Sequence, residues 1–321
     1  MVTALVLVLG VNVAFAAAGP TLARSLTPAA ATRIIAFGAG LGTACAGFVL
    51  AVASFGFLAQ IPPVGQAGQW SSASLAVHDP VPFSVGVASC LLVLALGWSA
   101  GRRAGGIGSK LWAAVCANRR LAAPGQQVVV LDDPRPDAYA LPGFRGGRIV
   151  VTASMLAALD ADERRVLLAH EASHLRHRHY LYGALTDLAA SANPLFRGLP
   201  ALVRVGVERW ADEDAAAMVA DRCLVARAVA RASLASGRSR GRDHGCPAGC
   251  APSTAPEAAL GMAGSTAAAR TSALLRPVPR RRVALVAPAV ALVLLSGVAA
   301  ADAAHQTEGR FEAAHAAFVG Q

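Results

Sequence analysis

The sequence predicts an α+β protein in which several membrane-crossing helices join a mainly helical domain bearing a small sheet. Three observations predict this class. Of the 321 residues, 55% are hydrophobic, too apolar a composition for an ordinary soluble enzyme, and the apolar residues gather in long stretches. A short β-branched run stands at 128–131. After Asp160, an acidic start followed by spaced apolar residues marks an amphipathic helix.

The apolar stretches cover residues 2–18, 34–59, 83–100 and 283–301, each near the length that crosses a bilayer. The first is the shortest, and Ala16 to Ala18 could serve as a signal-peptide cleavage region. No Lys or Arg precedes it, which favours a retained helix, so four spans are expected. In the second, Gly38, Gly42 and Ala46 recur at one-turn spacing and form a small-residue face for close helix packing. Basic residues set the orientation. Arg24 and Arg33 lie between the first two spans, Arg102, Arg103, Lys110, Arg119 and Arg120 follow the third, and Arg276, Arg280, Arg281 and Arg282 precede the fourth. The loop from Gln60 to Pro82 has neither Lys nor Arg. The positive-inside rule therefore places the N-terminus outside and the domain between the third and fourth spans in the cytoplasm.

The expected organisation is a membrane domain at 1–100 with three transmembrane helices, a basic juxtamembrane connector at 101–127, a folded domain at 128–235, a flexible linker at 236–281, the fourth span at 282–301 and a short tail at 302–321. The connector carries Leu111, Trp112 and Val115, which suit a membrane surface. In the folded domain, Val128 to Leu131 reads as a strand stopped by Asp132-Asp133-Pro134. Downstream, Pro194 and Pro200 interrupt an apolar helix and let the chain double back. The linker is rich in Gly, Ser, Pro and Ala. It includes His244, Cys246 and Cys250, a set too small and too loosely placed to make a closed tetrahedral metal site.

The amphipathic helix carries His170-Glu171-Ala172-Ser173-His174. Residues four apart share a helical face about 6 Å apart, so His170 and His174 can aim their imidazoles at one metal ion. Glu171 points beside them, placed to take a proton from a water that zinc acidifies to a pKa of roughly 7. A catalytic zinc site also needs a third protein ligand and an open position. Glu208 is the best candidate, in a segment whose small Ala211 and Ala215 permit close packing. Asp212 sits one turn later on the same face, able to orient a ligand histidine through its second ring nitrogen. A solvated acidic helix is the competing reading, because Glu208, Asp212, Glu213 and Asp214 cluster there.

HEASH followed by ERWADEDA resembles the HExxH and distal ExxxD of gluzincin membrane zinc metallopeptidases, both the CAAX-protease and HtpX-like group and antirepressor peptidases of the BlaR/MecR type. Pro136 to Gly143 and Gly147 to Thr152 resemble a turn-and-strand element and an adjoining edge strand of that group, so the resemblance covers about residues 128–235. It implies a zincin-like catalytic domain with His170, His174 and Glu208 as Zn2+ ligands and Glu171 as general base. It further implies that Ile149, Val150 and Val151 form an exposed edge strand to which an extended substrate adds. The sequence departs from the antirepressor pattern at His179, where that pattern often has an acidic residue. His177 and His179, beside Arg176 and Arg178, read as basic helix-end residues.

The formal charge of +10 could suit nucleic acid, but most of it flanks the spans and no nucleic-acid-binding motif accompanies it. The expected partners are the lipid bilayer and a protein or peptide substrate, such as a transcriptional repressor or a misfolded membrane protein. Lys110 is the sole lysine and Ile107 stands three residues before it, so the chain contains no SxxK motif of a penicillin-binding sensor. The expected function is a membrane-bound zinc endopeptidase acting near the cytoplasmic face. The alternative is a non-catalytic membrane scaffold or signalling protein that keeps a structural zinc.

Overall fold

The computed structural model describes residues 2–78, 81–121, 126–143, 146–243, 260–261, 267–277 and 283–320. Its first helices are α1 (Val2–Ser25), α2 (Pro28–Leu58), the short α3 (Pro62–Gly68) and α4 (Ser72–His78), and α5 (Phe83–Arg120). Then come β1 (Val128–Leu131), β2 (Ala138–Leu141), β3 (Arg148–Thr152), α6 (Ala153–Ala158), α7 (Ala161–Arg176), α8 (His179–Ala192), α9 (Leu199–Val219) and α10 (Arg222–Asp243). The two-residue β4 (Leu260–Gly261), α11 (Ala267–Leu274) and α12 (Val283–Val319) complete it. The architecture is α+β and mostly helical, as the composition predicts.

Helices α1, α2, α5 and α12 are long and apolar enough to cross a membrane. Their small residues allow close approach. A Cβ at Gly38 would meet the Phe15 ring at 2.2 Å, and one at Gly42 would meet Asn12 Oδ1 at 2.4 Å. Ala46 joins Val8, Val49, Ala300 and Ala303 in a core where α1, α2 and α12 meet. On α5, Leu94 and Trp98 are exposed, a lipid-facing pattern. Helix α5 runs unbroken past Arg102 and Arg103, so the residues read as a separate connector continue the third apolar helix.

Helices α8 and α9 rest directly on this bundle. Asn193 accepts a hydrogen bond from the Leu195 amide at 3.2 Å, closing the turn at Pro194–Phe196 that separates α8 from α9. Phe196, Leu199, Val203 and Val207 then pack against Phe15, Leu22, Leu26 and Ile35. This close packing of large side chains anchors α9 to α1 and α2.

Helix α7 begins as predicted. Asp160 accepts from the Glu163 amide at 2.9 Å and Glu163 accepts from the Asp160 amide at 3.1 Å, a reciprocal capping box. Glu163 is fully buried, and Arg227 and Arg231 of α10 approach it at 3.0 Å and 2.8 Å. This pairing fixes the start of α7 against α10.

The sheet order is β1-β3-β2-β4. Strand β3 pairs in parallel with β1 and antiparallel with β2. Ile149, Val150 and Val151 therefore lie in an interior strand, buried and hydrogen-bonded on both sides. This corrects the edge-strand reading: their backbone groups are already paired, so no substrate strand can add there. The run Ile-Val-Val is continuous in apolar character, as strands buried on both faces are. Arg148 Nη1 donates to Asn118 Oδ1 at 2.7 Å and ties this strand to the end of α5.

Candidate metal centre

One-turn spacing on α7 brings His170 Nε2 and His174 Nε2 to 3.1 Å from each other. From α9, the Glu208 carboxylate lies 3.6 Å from each of those nitrogens. Four-coordinate zinc with bonds of about 2.0–2.2 Å places neighbouring ligand atoms about 3.3–3.6 Å apart, so the donors stand close to the separations that one ion needs. All three side chains are buried. Glu208 Oε2 has an ion-pair contact from Arg270 but no hydrogen bond, and both oxygens of Glu171 are buried with no hydrogen-bond partner, which is costly for a carboxylate unless a cation or a protonated group completes it. Two imidazoles and a carboxylate match the donor chemistry of zinc. The residues present fit a metal.

The two histidines are supported differently. His170 Nδ1 lies 3.0 Å from Asp212 Oδ1, so the second nitrogen of this ring is held by a carboxylate, in the place the sequence assigns to Asp212. His174 Nδ1 lies 3.0 Å from Nδ1 of His179. If both Nε2 atoms offer lone pairs to one ion shared with Glu208, His174 carries its proton on Nδ1 and donates it to His179. His179 then keeps its own proton on Nε2, a buried atom with no hydrogen-bond partner. Its ring packs against Trp210, centroids 4.7 Å apart. The expectation that His179 is a basic helix-end residue is corrected: it is fully buried at the start of α8 and contacts the site. Spacing could not show this, because Arg178 adopts a left-handed conformation, φ 51°, that turns α8 back toward His174. His177 does sit at the end of α7, where its Nε2 lies 2.9 Å from Asp214.

Burial and pairing set the electrostatics. Burial pulls the His170 imidazole down, but Asp212 and Glu208 more than offset it and raise its pKa to about 10. Burial takes His174 and His179 down to about 3, so both rings are neutral. Burial raises Glu171 to about 8, against the opposing pull of His170. Glu208 and Asp212 are held below the usual carboxylate range; burial opposes this, and for Asp212 the Arg270 and His170 hydrogen bonds prevail.

Arg270 is the participant that the sequence reading missed. It comes from α11, inside the stretch read as a linker, and is 1% exposed. Its Nε donates to Asp212 Oδ2 at 2.8 Å, and Nη2 donates to Asp212 Oδ1. Nη1 lies 3.1 Å from Glu208 Oε2, an ion-pair contact without a hydrogen bond. The available signal was weak: Leu274, four residues on, shares its buried face within an eight-residue helix. His244, Cys246 and Cys250 lie outside the described residues.

Residues 109–243 match the family described as Peptidase family M48. The chain is 42% identical over 53 residues to Protease HtpX homolog 1 of Saccharolobus solfataricus, covering 16% of this chain and 17% of that protein. It is 39% identical over 70 residues to the Protease HtpX homolog of Acidiphilium cryptum, covering 22% of this chain and 24% of that one. The Protease HtpX homolog of Thermoplasma acidophilum is 38% identical over 64 residues, 20% of each chain. The matched stretch thus spans less than a quarter of the length of these curated relatives. No solved structure matches significantly. From the last third of α5 to the end of α10 the chain is similar to peptidase family M48, and these curated relatives are HtpX-type proteases.

Proposed function

We propose that the protein is a zinc-dependent endopeptidase held in the cell membrane by four spans, cutting a protein substrate near the cytoplasmic face. The single observation that carries this reading is the meeting of His170, His174 and Glu208 around one point, with the unpartnered carboxylate of Glu171 on the same helix. In this reading residues 1–100 form the membrane unit, α5 extends through the basic segment, residues 128–235 form the peptidase unit and α12 supplies the fourth span.

Zinc held by His170, His174 and Glu208 supplies a Lewis acid that acidifies water and polarises a carbonyl. Glu171 takes the proton from the attacking water at its carboxylate and delivers it to the nitrogen of the leaving amine. Its environment suits this exchange: burial raises the carboxyl to about 8, so it holds a proton far more readily than an ordinary carboxylate and can pass it to the leaving amine. Asp212 holds His170 by Nδ1, and Arg270 holds Asp212. The donors are buried, so bulk water is kept from them while the attacking water is held beside Glu171.

His179 is assigned as a positioning residue that fixes the ring of His174. His179→Ala is expected to weaken zinc binding by about 10–100-fold, as loss of a hydrogen bond behind a ligand histidine does. Competition against a chelator of known zinc affinity measures this; unchanged affinity would reduce His179 to a space-filling role. The function itself is tested by incubating an unfolded protein with the purified chain and with its Glu171→Gln variant and following the appearance of fragments.

A further inference from the structure

Where α1 ends and α2 begins, a cavity of about 200 Å³ opens against α9, away from the metal centre. Arg24 of α1 lines it together with Pro28, Thr32 and Ile35 of α2 and Gly206 and Arg209 of α9. Thr32 is 1% exposed, yet its hydroxyl has no hydrogen-bond partner, and the Nε of Arg209 is likewise buried without one. Among the described residues, neither Arg24 nor Arg209 takes part in an ion pair; the carboxylate adjacent to Arg209 in sequence, Glu208, is committed to the histidines. Two permanent positive charges and an unsatisfied hydroxyl therefore line one space that contains no acid. Unpaired buried donors of this kind are costly, and an anion with several acceptor oxygens would satisfy them together through charge-assisted hydrogen bonds.

Size and place narrow the ligand. The volume lies below the roughly 300–1,000 Å³ of pockets that enclose whole drug-sized molecules, so it suits a fragment. The cavity sits at the junction of two membrane-spanning candidates, where basic residues meet anionic lipid. Ile35, Leu202 and Val205 give its lining an apolar side along which an acyl chain could leave. We propose that this cavity binds the phosphate of an anionic phospholipid headgroup through Arg24, Arg209 and Thr32. Because Arg209 follows Glu208 on α9, the bound headgroup would clamp the metal-bearing helix to the bilayer surface. A Cβ at Gly206 would meet Thr32 Oγ1 at 2.5 Å, so glycine is what lets α9 approach α2 this closely.

The inference rests on α1 and α2 crossing the membrane. Recovery of the full chain in buffer without detergent would refute that reading on its own, before any lipid is counted. For the site itself, the full chain purified in a neutral detergent is mixed with phosphatidylglycerol or phosphatidylcholine, and bound lipid is counted by native mass spectrometry. Wild type is expected to retain one phosphatidylglycerol in preference to phosphatidylcholine. Arg24→Gln and Arg209→Gln should each weaken that binding about tenfold or more, Thr32→Val should weaken it less, and Arg102→Gln, on α5, should leave it unchanged. Arg24 is exposed, so its variant tests the site without threatening the fold. Equal binding by wild type and both arginine variants would overturn the proposal, as would an equal loss in Arg102→Gln. Complete displacement of the lipid by millimolar inorganic phosphate would overturn the lipid assignment and leave a free-phosphate site.

Discussion

Glu171→Gln is expected to bind zinc as wild type does and to cut its substrate about 10²–10⁴-fold more slowly, the range that a positioned general base supplies. Glutamine keeps the volume and the buried position but cannot accept a proton from water. The carboxylate makes no hydrogen bond in the metal-free chain, so the substitution removes no structural contact. It should also change the stability of the metal-free chain in a defined direction. Burial raises the Glu171 pKa from 4.5 to about 8, so the folded state holds its proton more tightly than the unfolded chain does. The stability tied to that proton is complete below about pH 4.5 and is lost as pH rises through about 8. Glutamine does not titrate, so metal-free Glu171→Gln should melt at a higher temperature than metal-free wild type at pH 8, and the gap should close near pH 4.5. Full cleavage by the variant would end the general-base assignment.

The second large effect is on stability. Arg270→Met should destabilise the metal-free protein by about 3–5 kcal/mol, the usual cost of removing one partner from a buried ion pair. Arg270 is 1% exposed, and its guanidinium faces two carboxylates that are themselves about 3% exposed, Glu208 and Asp212. Without it, those two negative charges share a site with only His170 to offset them. Zinc restores positive charge there, so saturating zinc should recover part of the lost stability, and thermal unfolding with and without zinc measures both values. An unchanged melting temperature would mean that α11 does not dock against the centre in solution.

Much of this arrangement was legible in the sequence because it rests on short-range periodicity. The His170–His174 spacing, the Asp160–Glu163 cap and the apolar length of α2 are each determined within a few helical turns. Glu208 was legible for a related reason: Pro194 and Pro200 marked the turn that carries α9 back to α7. The interior position of β3 was not legible, because which strand lies at a sheet edge depends on pairing among β1, β2 and β3 that no local pattern encodes. Arg270 was hidden by its setting, a short helix of eight residues in a Gly- and Ser-rich stretch whose composition reads as linker. His179 was misread for a geometric reason. Counted along a straight helix it falls near the end of α7, but the left-handed Arg178 breaks that helix and starts α8 with His179 facing inward.

The most direct test of the metal centre is X-ray absorption at the zinc edge, combined with metal analysis, on the zinc-loaded wild type and on Glu208→Ala. Wild type is predicted to hold one zinc per chain, bound by two imidazole nitrogens and a carboxylate oxygen at about 2.0–2.2 Å, and Glu208→Ala to lose the carboxylate and most of the bound metal. A wild type that takes up no zinc, or a Glu208→Ala chain with the same zinc content and the same first coordination sphere, would contradict the account.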